Sequence, residues 1–288
     1  MAGPLAPAPR RPETVGAVVT DTRPDERTRA GAAPTSSVAR LRHWVRNEAA
    51  SVWGVPPSLA EAILVIPFIG AVALGATRLD LSLFDFLTRE DSVLEWSQFG
   101  LYALAAVGAA VVARTLQRAG RRGPALVHLL FALGMVFVAG EEISWGQRIF
   151  GWGTPQDLDK INAQDETTVH NISSVELPFK LGYTALGLYG SVVAWWVRRR
   201  VENWHRETVN LYVAPVFLGG AFFVIFLHRL AYFLGVRGYT YTRSGEWAEF
   251  CLAFALATFA YLSWRRITRR ARVQSSPAAS SAGVGSAD

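Results

Sequence analysis

Residues 245–270 read GEWAEFCLAFALATFAYLSWRRITRR, and the order of residue types in that stretch decides the fold. From Phe250 to Trp264 there is no charged side chain; Glu246 and Glu249 stand before the run, and Arg265, Arg266, Arg269 and Arg270 follow it. The apolar run alone is shorter than the ~20 residues a helix needs to cross hydrocarbon. A crossing helix must therefore take in the two acids at one end. Arginine clusters mark the cytoplasmic end of a span, so this helix is expected to run from outside to inside with its carboxylates at the outer interface.

The same design recurs along the chain. Apolar stretches predict spans at about 59–77, 94–113, 125–145, 177–197, 211–236 and 246–264. Arg114, Arg118, Arg121 and Arg122, then Arg198, Arg199, Arg200 and Arg206, then the 265–270 arginines follow every second span. The other connections carry Asp80, Asp85, Glu90 and Asp91, and later Asp157, Asp159, Asp165, Glu166 and Glu176. This alternation predicts an all-α integral membrane protein of about six transmembrane helices with both termini cytoplasmic, and it turns the long 146–176 loop outward.

Composition agrees. Of 288 residues 51% are hydrophobic, too many for an ordinary soluble domain. The net charge of +6 sits in short clusters beside apolar runs and forms no basic stripe, which argues against nucleic acid as a partner and for the lipid bilayer. Cys251 is the lone cysteine and lies in an apolar run, so a disulfide framework is excluded. Residues 1–57, rich in Ala, Pro and Arg and without a signal-peptide run, predict a disordered basic tail. Its last part, Val38 to Trp53, reads either as an interfacial helix or as a solvated linker. The membrane domain is expected over 58–266, with a disordered tail over 267–288. A short echo, Thr88-Arg89 with Glu95-Trp96-Ser97-Gln98-Phe99 against Thr242-Arg243 with Glu246-Trp247-Ala248-Glu249-Phe250, is compatible with a duplicated hairpin or with chance.

Three spans complete their length only by including polar groups: Glu95 and Gln98 in the second, Glu141 and Glu142 in the third, Glu246 and Glu249 in the sixth. A carboxylate inside a membrane costs roughly 2.5–3.5 kcal/mol at a helix centre, so several at one level predict a polar cavity or partners. His228 and Arg229 fall in the outer half of the fifth span, and Arg229 is expected to pair with Glu249. The alternative is that this pair only locks two helices. Beyond Glu142 the chain continues Ile143-Ser144-Trp145-Gly146-Gln147-Arg148, then Asn162, Gln164, Glu166, His170 and Asn171. Glu141, Glu142, Glu166 and His170 are candidate acid–base residues. Glu142, Glu166 and His170 are candidate ligands of a divalent metal ion; in a helix, Glu166 and His170 would share a face. Arg148, Gln147, Asn171 and Arg229 are candidate substrate-binding groups, Arg148 as a fork for a phosphate or carboxylate. Glu95, Gln98, His228, Glu246 and Glu249 are candidates for ion coupling or for helix pairing. A solvated acidic rim with Trp145 and Trp152 as interfacial anchors is the competing reading.

The Gly140–Trp152 stretch with Asn162, Gln164, Glu166 and His170-Asn171 resembles a motif of uncharacterised bacterial multi-pass membrane proteins. The resemblance covers about a fifth of the chain, implies a bacterial plasma (inner) membrane, and brings no activity with it. Similarity to the alkaline ceramidase type fails for want of Ser-x-x-x-His and His-x-x-x-His. Walker, dinucleotide-binding, nucleophile-elbow and His-Glu-x-x-His motifs are absent. Three functions stand open: a membrane enzyme on a lipid or lipid-linked substrate, a proton- or cation-coupled transporter, and a non-catalytic scaffold.

Overall fold

The computed structural model describes residues 36–89, 91–160, 162, 167–169, 172–201 and 207–274. Helix α1 (Ser37–Glu48) runs on through a π-helical turn, Ala49–Trp53, and is followed by α2 (Pro57–Ala76), α3 (Leu81–Thr88), α4 (Val93–Arg118) and α5 (Arg122–Glu142). Then come α6 (Ser173–Leu188), a π-helical turn Tyr189–Val193, α7 (Ala194–Arg200), α8 (Gly219–Phe233) and α9 (Gly245–Gln274). Shorter helical pieces lie at Gln147–Phe150, Gln156–Asp159, Glu207–Tyr212 and Tyr239–Arg243. The described residues hold no strand, only an isolated bridge between Asn162 and Ile172.

Among the described residues, five helices are long and apolar enough to cross a bilayer: 57–79, 81–118, 122–142, 208–233 and 239–270. The expected span at 177–197 is not among these five, although α6, the π turn and α7 run without a break from 173 to 200. The chain thus has the make-up of a multi-pass helical membrane protein.

Local chemistry sets the helix ends. Asp80 caps α3 by accepting from the N–H groups of Ser82 and Leu83. Ser92 and Glu95 form a capping box at the start of α4: the Ser92 hydroxyl accepts from Glu95 N–H while the Glu95 carboxylate accepts from Asp91 N–H. Gly120, at φ +74°, stops α4, with Arg121 N–H bonding back to Leu116 and Gly120 N–H to Gln117, the pairing that a left-handed residue makes possible.

Alanines let α4 and α9 run close and parallel. A Cβ added at Gly108 would lie 3.2 Å from that of Ala260, and Ala105, Ala253, Ala257 and Ala260 are all buried. α5 packs along α4, α6 along α8, and α8 bridges α2 and α9. At Gly190 an added Cβ would lie 2.2 Å from the Phe222 ring, so only glycine admits this approach of the π turn to α8.

The end of the bundle that carries the arginine clusters is closed by a buried network. Pro215 interrupts the helical run between Tyr212 and Val216 and leaves backbone groups without helical partners. Arg198 donates to the carbonyls of Ala214 (2.8 Å) and Val213 (2.6 Å) and to Asn210 Oδ1 (3.1 Å). Glu48 accepts from Val216 N–H (3.0 Å) and Trp53 Nε1 (3.2 Å), and pairs with Arg198 at 2.8 Å. One cation and one anion thereby satisfy both sides of the break. Burial pushes the Glu48 carboxyl above its ordinary range, against the pull of Arg198, Val216 N–H and Trp53.

This network changes the expected boundaries. The helix anticipated over Val38–Trp53 forms, and its residues Val45, Ala49 and Trp53 belong to the main apolar core, so the packed domain begins before the expected 57/58 boundary. At the other terminus α9 continues to Gln274, past the expected limit at 266. α5 ends at Glu142, short of the expected 145, because Ser144 and Trp145 take positive φ values of 48° and 54° and turn the chain back.

Candidate functional site

At the opposite end of the bundle, the carboxylate end, the polar residues divide into two groups. The first holds the chain in place. Glu141, 3% exposed, accepts from Trp145 Nε1 (2.6 Å) and from Val169 N–H (2.8 Å). Gln147 accepts from Thr167 N–H (2.6 Å) and donates to Thr154 Oγ1 (2.9 Å), and Asn162 donates to the Thr168 carbonyl (2.7 Å). Together they tie the long loop over the end of α5. Trp145 leans back on α5, its ring 5.7 Å from that of Phe137 and against Gly140, and stays exposed. Glu95 is committed to the capping box.

The second group lies inside the bundle and draws on α4, α5, α6, α8 and α9. Arg229 on α8 forms an ion pair with Glu249 on α9, as the sequence predicts. Its guanidinium lies 5.4 Å from the Tyr183 ring centre, and its Nε is buried without a partner. Gln98, fully buried, donates from Nε2 to the backbone carbonyl (3.1 Å) and the carboxylate (3.3 Å) of Glu246, leaving Oε1 without a donor. One turn further along α4, Tyr102 is 1% exposed and its hydroxyl has no partner. The hydroxyls of Tyr102 and Tyr183 both lie within electrostatic range of Glu142, Glu249 and Arg229, and Tyr183 also of Glu246. Glu246 in turn feels Glu249, Glu95 and Arg243.

Neighbours in sequence separate here. Consecutive helical residues point about 100° apart: Glu141 turns to the loop, while Glu142 acts electrostatically on Tyr102 and Tyr183. His228 feels the charges of both Arg229 and Glu249 and is fastened to the 239–243 helix. Its Nε2 meets the Tyr241 carbonyl (3.1 Å), which can only accept, so Nε2 carries the proton. The ring stacks on Tyr241 at 4.5 Å.

Glu166, His170, Asn171 and Gln164 lie outside the described residues, as does the side chain of Arg148. Thr167–Val169, the described residues between Glu166 and His170, are not helical. Among the described residues no three His, Cys, Asp or Glu side chains gather as metal ligands. The expected metal set depends on Glu166 and His170.

Tyr102 and Tyr183 escaped the sequence reading. A tyrosine in an apolar run reads as core, and only its position one turn from Gln98 marks Tyr102.

An apolar cleft of about 220 Å³ opens between α5 and α6 toward the arginine end, lined by Phe131, Leu186, Gly190, Phe222, Leu256 and Phe259 among others. A second groove, about 380 Å³, lies where α2, α8 and α9 meet and includes His228, Ser244 and Arg78.

No protein-family model, no curated protein and no solved structure matches this chain.

Proposed function

We propose that the protein is a membrane enzyme acting at the extracytoplasmic face on a lipid or lipid-linked substrate, with the α4–α5–α6–α8–α9 polar cluster as its reacting centre. The observation that carries this reading is the convergence of Tyr102, Tyr183, Glu142, Glu249 and Arg229 in a buried place where the Tyr102 hydroxyl and Arg229 Nε have no protein partner. Buried polar groups are ordinarily satisfied, and intramembrane ionisable residues mark pathways or sites. Glu142 is the group that moves the proton, Tyr102 donates to the oxygen where charge develops, and Arg229, held by Glu249, orients the substrate's polar part.

The arginine clusters support an inward arginine end, and hence an outward carboxylate end. The 173–200 helix, about 40 Å long at 1.5 Å per residue, serves as the sixth crossing and returns both termini to the cytoplasmic side of a bacterial plasma membrane. A transporter needs a route to the far side. The arginine end is instead filled by Glu48, Arg198 and Asn210, each at most 2% exposed and each bonded to the chain around it, which favours a one-sided site.

The test is incubation of the purified protein in vesicles of bacterial polar lipids, followed by mass spectrometry of the lipids. A time-dependent change in one lipid class, lost in Glu142→Gln with unaltered thermal stability, is the expected result. No lipid change, or solute uptake that collapses with the proton gradient, would sink the enzyme reading.

A further inference from the structure

The cleft between α5 and α6 stands in a definite relation to the polar cluster. Glu142 is eleven residues from Phe131 on α5, Arg229 seven from Phe222 on α8, Glu249 seven from Leu256 on α9, and Tyr183 three from Leu186 on α6. Each spacing returns to nearly the same face after one, two or three turns. In each helix the cleft residue is the one nearer the arginine end. The cleft therefore lies beneath the cluster on the faces that build it, from about 4.5 Å deeper at Leu186 to about 21 Å deeper at His128, at 1.5 Å per residue. Half of a ~30 Å hydrocarbon core is about 15 Å, so the cleft runs from the acyl-tail depth of the leaflet whose headgroups are level with the cluster to beyond the midplane.

Its side is open. α5 leans on α4 and, among the described residues, does not pack closely on α6, α8 or α9. Near the carboxylate end a ring contact bridges α5 and α6, Phe137 to Phe179 at 6.1 Å. The lining is apolar except at the deep end, where the Tyr189 hydroxyl donates to the Tyr212 carbonyl and His128 Nδ1 lies against the Pro124 carbonyl. Tyr189 opens the π-helical turn, a departure from α geometry that recurs at functional sites.

We infer that this cleft holds one acyl chain of a membrane phospholipid that enters sideways between α5 and α6, with its polar part at the Tyr102–Glu142–Arg229 cluster. The inference deepens the enzyme reading and rests on it for the role of the cluster, but the seat of the chain can be tested without turnover. The probe is phosphatidylethanolamine carrying a diazirine near the end of one acyl chain, in vesicles with the wild-type protein, with labelled residues mapped by mass spectrometry. Several-fold enrichment on Phe131, Leu186 and Phe222 over lipid-facing Val72 and Leu104 is expected. That enrichment falls in Leu186→Trp and in Phe131→Trp, each of which fills the cleft, and persists in Leu133→Trp on the exposed side of α5. Even labelling over all lipid-facing residues, or enrichment indifferent to both filling variants, would overturn it. Enrichment retained in Glu142→Gln, in a protein that alters no lipid, would leave the chain site standing and remove the enzyme reading alone.

Discussion

Glu48 and Arg198 lie 2.8 Å apart with side chains 0% and 1% exposed, and between them they cap the two sides of the helix break at Pro215. Removing one partner of such a pair leaves an uncompensated buried charge, which costs about 3–5 kcal/mol. Arg198→Leu also frees the carbonyls of Val213 and Ala214. The expected outcome is a large loss of thermal stability in detergent; a shift within error of wild type would refute the capping role.

The same carboxylate gives stability a pH dependence. Its pKa in the folded chain stands above the 4.5 of an unperturbed glutamate, chiefly through burial. The folded state thus holds that proton more tightly, and the contribution is full below about pH 4.5 and fades as pH rises through the folded value. Subtracting the melting-temperature profile of Glu48→Gln from that of wild type should leave a component that declines with rising pH. A difference that rises with pH would reverse the assignment.

Glu141 and Glu142 should behave differently although adjacent. Glu141→Ala strands Val169 N–H, a penalty of about 1–3 kcal/mol for a donor left unmade away from water, releases Trp145, and should expose the loop beyond Ile143 to protease. Glu142→Gln should leave protease resistance intact and abolish lipid turnover. Equal protease sensitivity in the two variants would assign both acids to architecture.

Tyr102→Phe removes a buried hydroxyl that has no protein partner. Stability should hold or rise by on the order of 1 kcal/mol while turnover falls, as when a group is kept for function at a cost to folding. Loss of stability on this change would mean that the hydroxyl is satisfied within the fold.

Gly190→Val drives a side chain into the Phe222 ring. Overpacking of this kind costs typically 1–3 kcal/mol, and here it would separate the π turn from α8. Unfolding in denaturant measures it, with Gly182→Val, where an added Cβ meets nothing, as the harmless comparison.

Much of this architecture was legible because membrane crossing is a one-dimensional requirement: the apolar runs announced the helices at 57–79 and 122–142 within about three residues, and the core of the longer one at 239–270. Arg229 with Glu249 was readable because a short turn joins their helices. The division of labour among the acids was not. Ser92 and Glu95 carry the spacing of a capping box, a local signal that the search for a site overrode. Glu141 and Glu142 differ only by 100° of helix rotation, which matters once the neighbours are known. The positive φ values at Ser144 and Trp145 have no glycine to announce them. Nor could the sequence pair Glu48 with Arg198, since the partner of a buried charge is chosen by packing between distant segments.

That pairing also imposes an order on biogenesis. Glu48 leaves the ribosome long before Arg198, Asn210 and Val216 exist to receive it. Until then α1, with Arg40, Arg42 and Arg46 on its surface, has no socket, and a basic helix of this kind can wait at an anionic membrane surface. Docking must follow synthesis of the segment through Val216, so α1, made before its partners, is seated only after them. A chain halted before Pro215 would keep its early helices yet leave this end unfastened. Quality control could recognise an unfinished copy there, by an amino-terminal helix still lying loose.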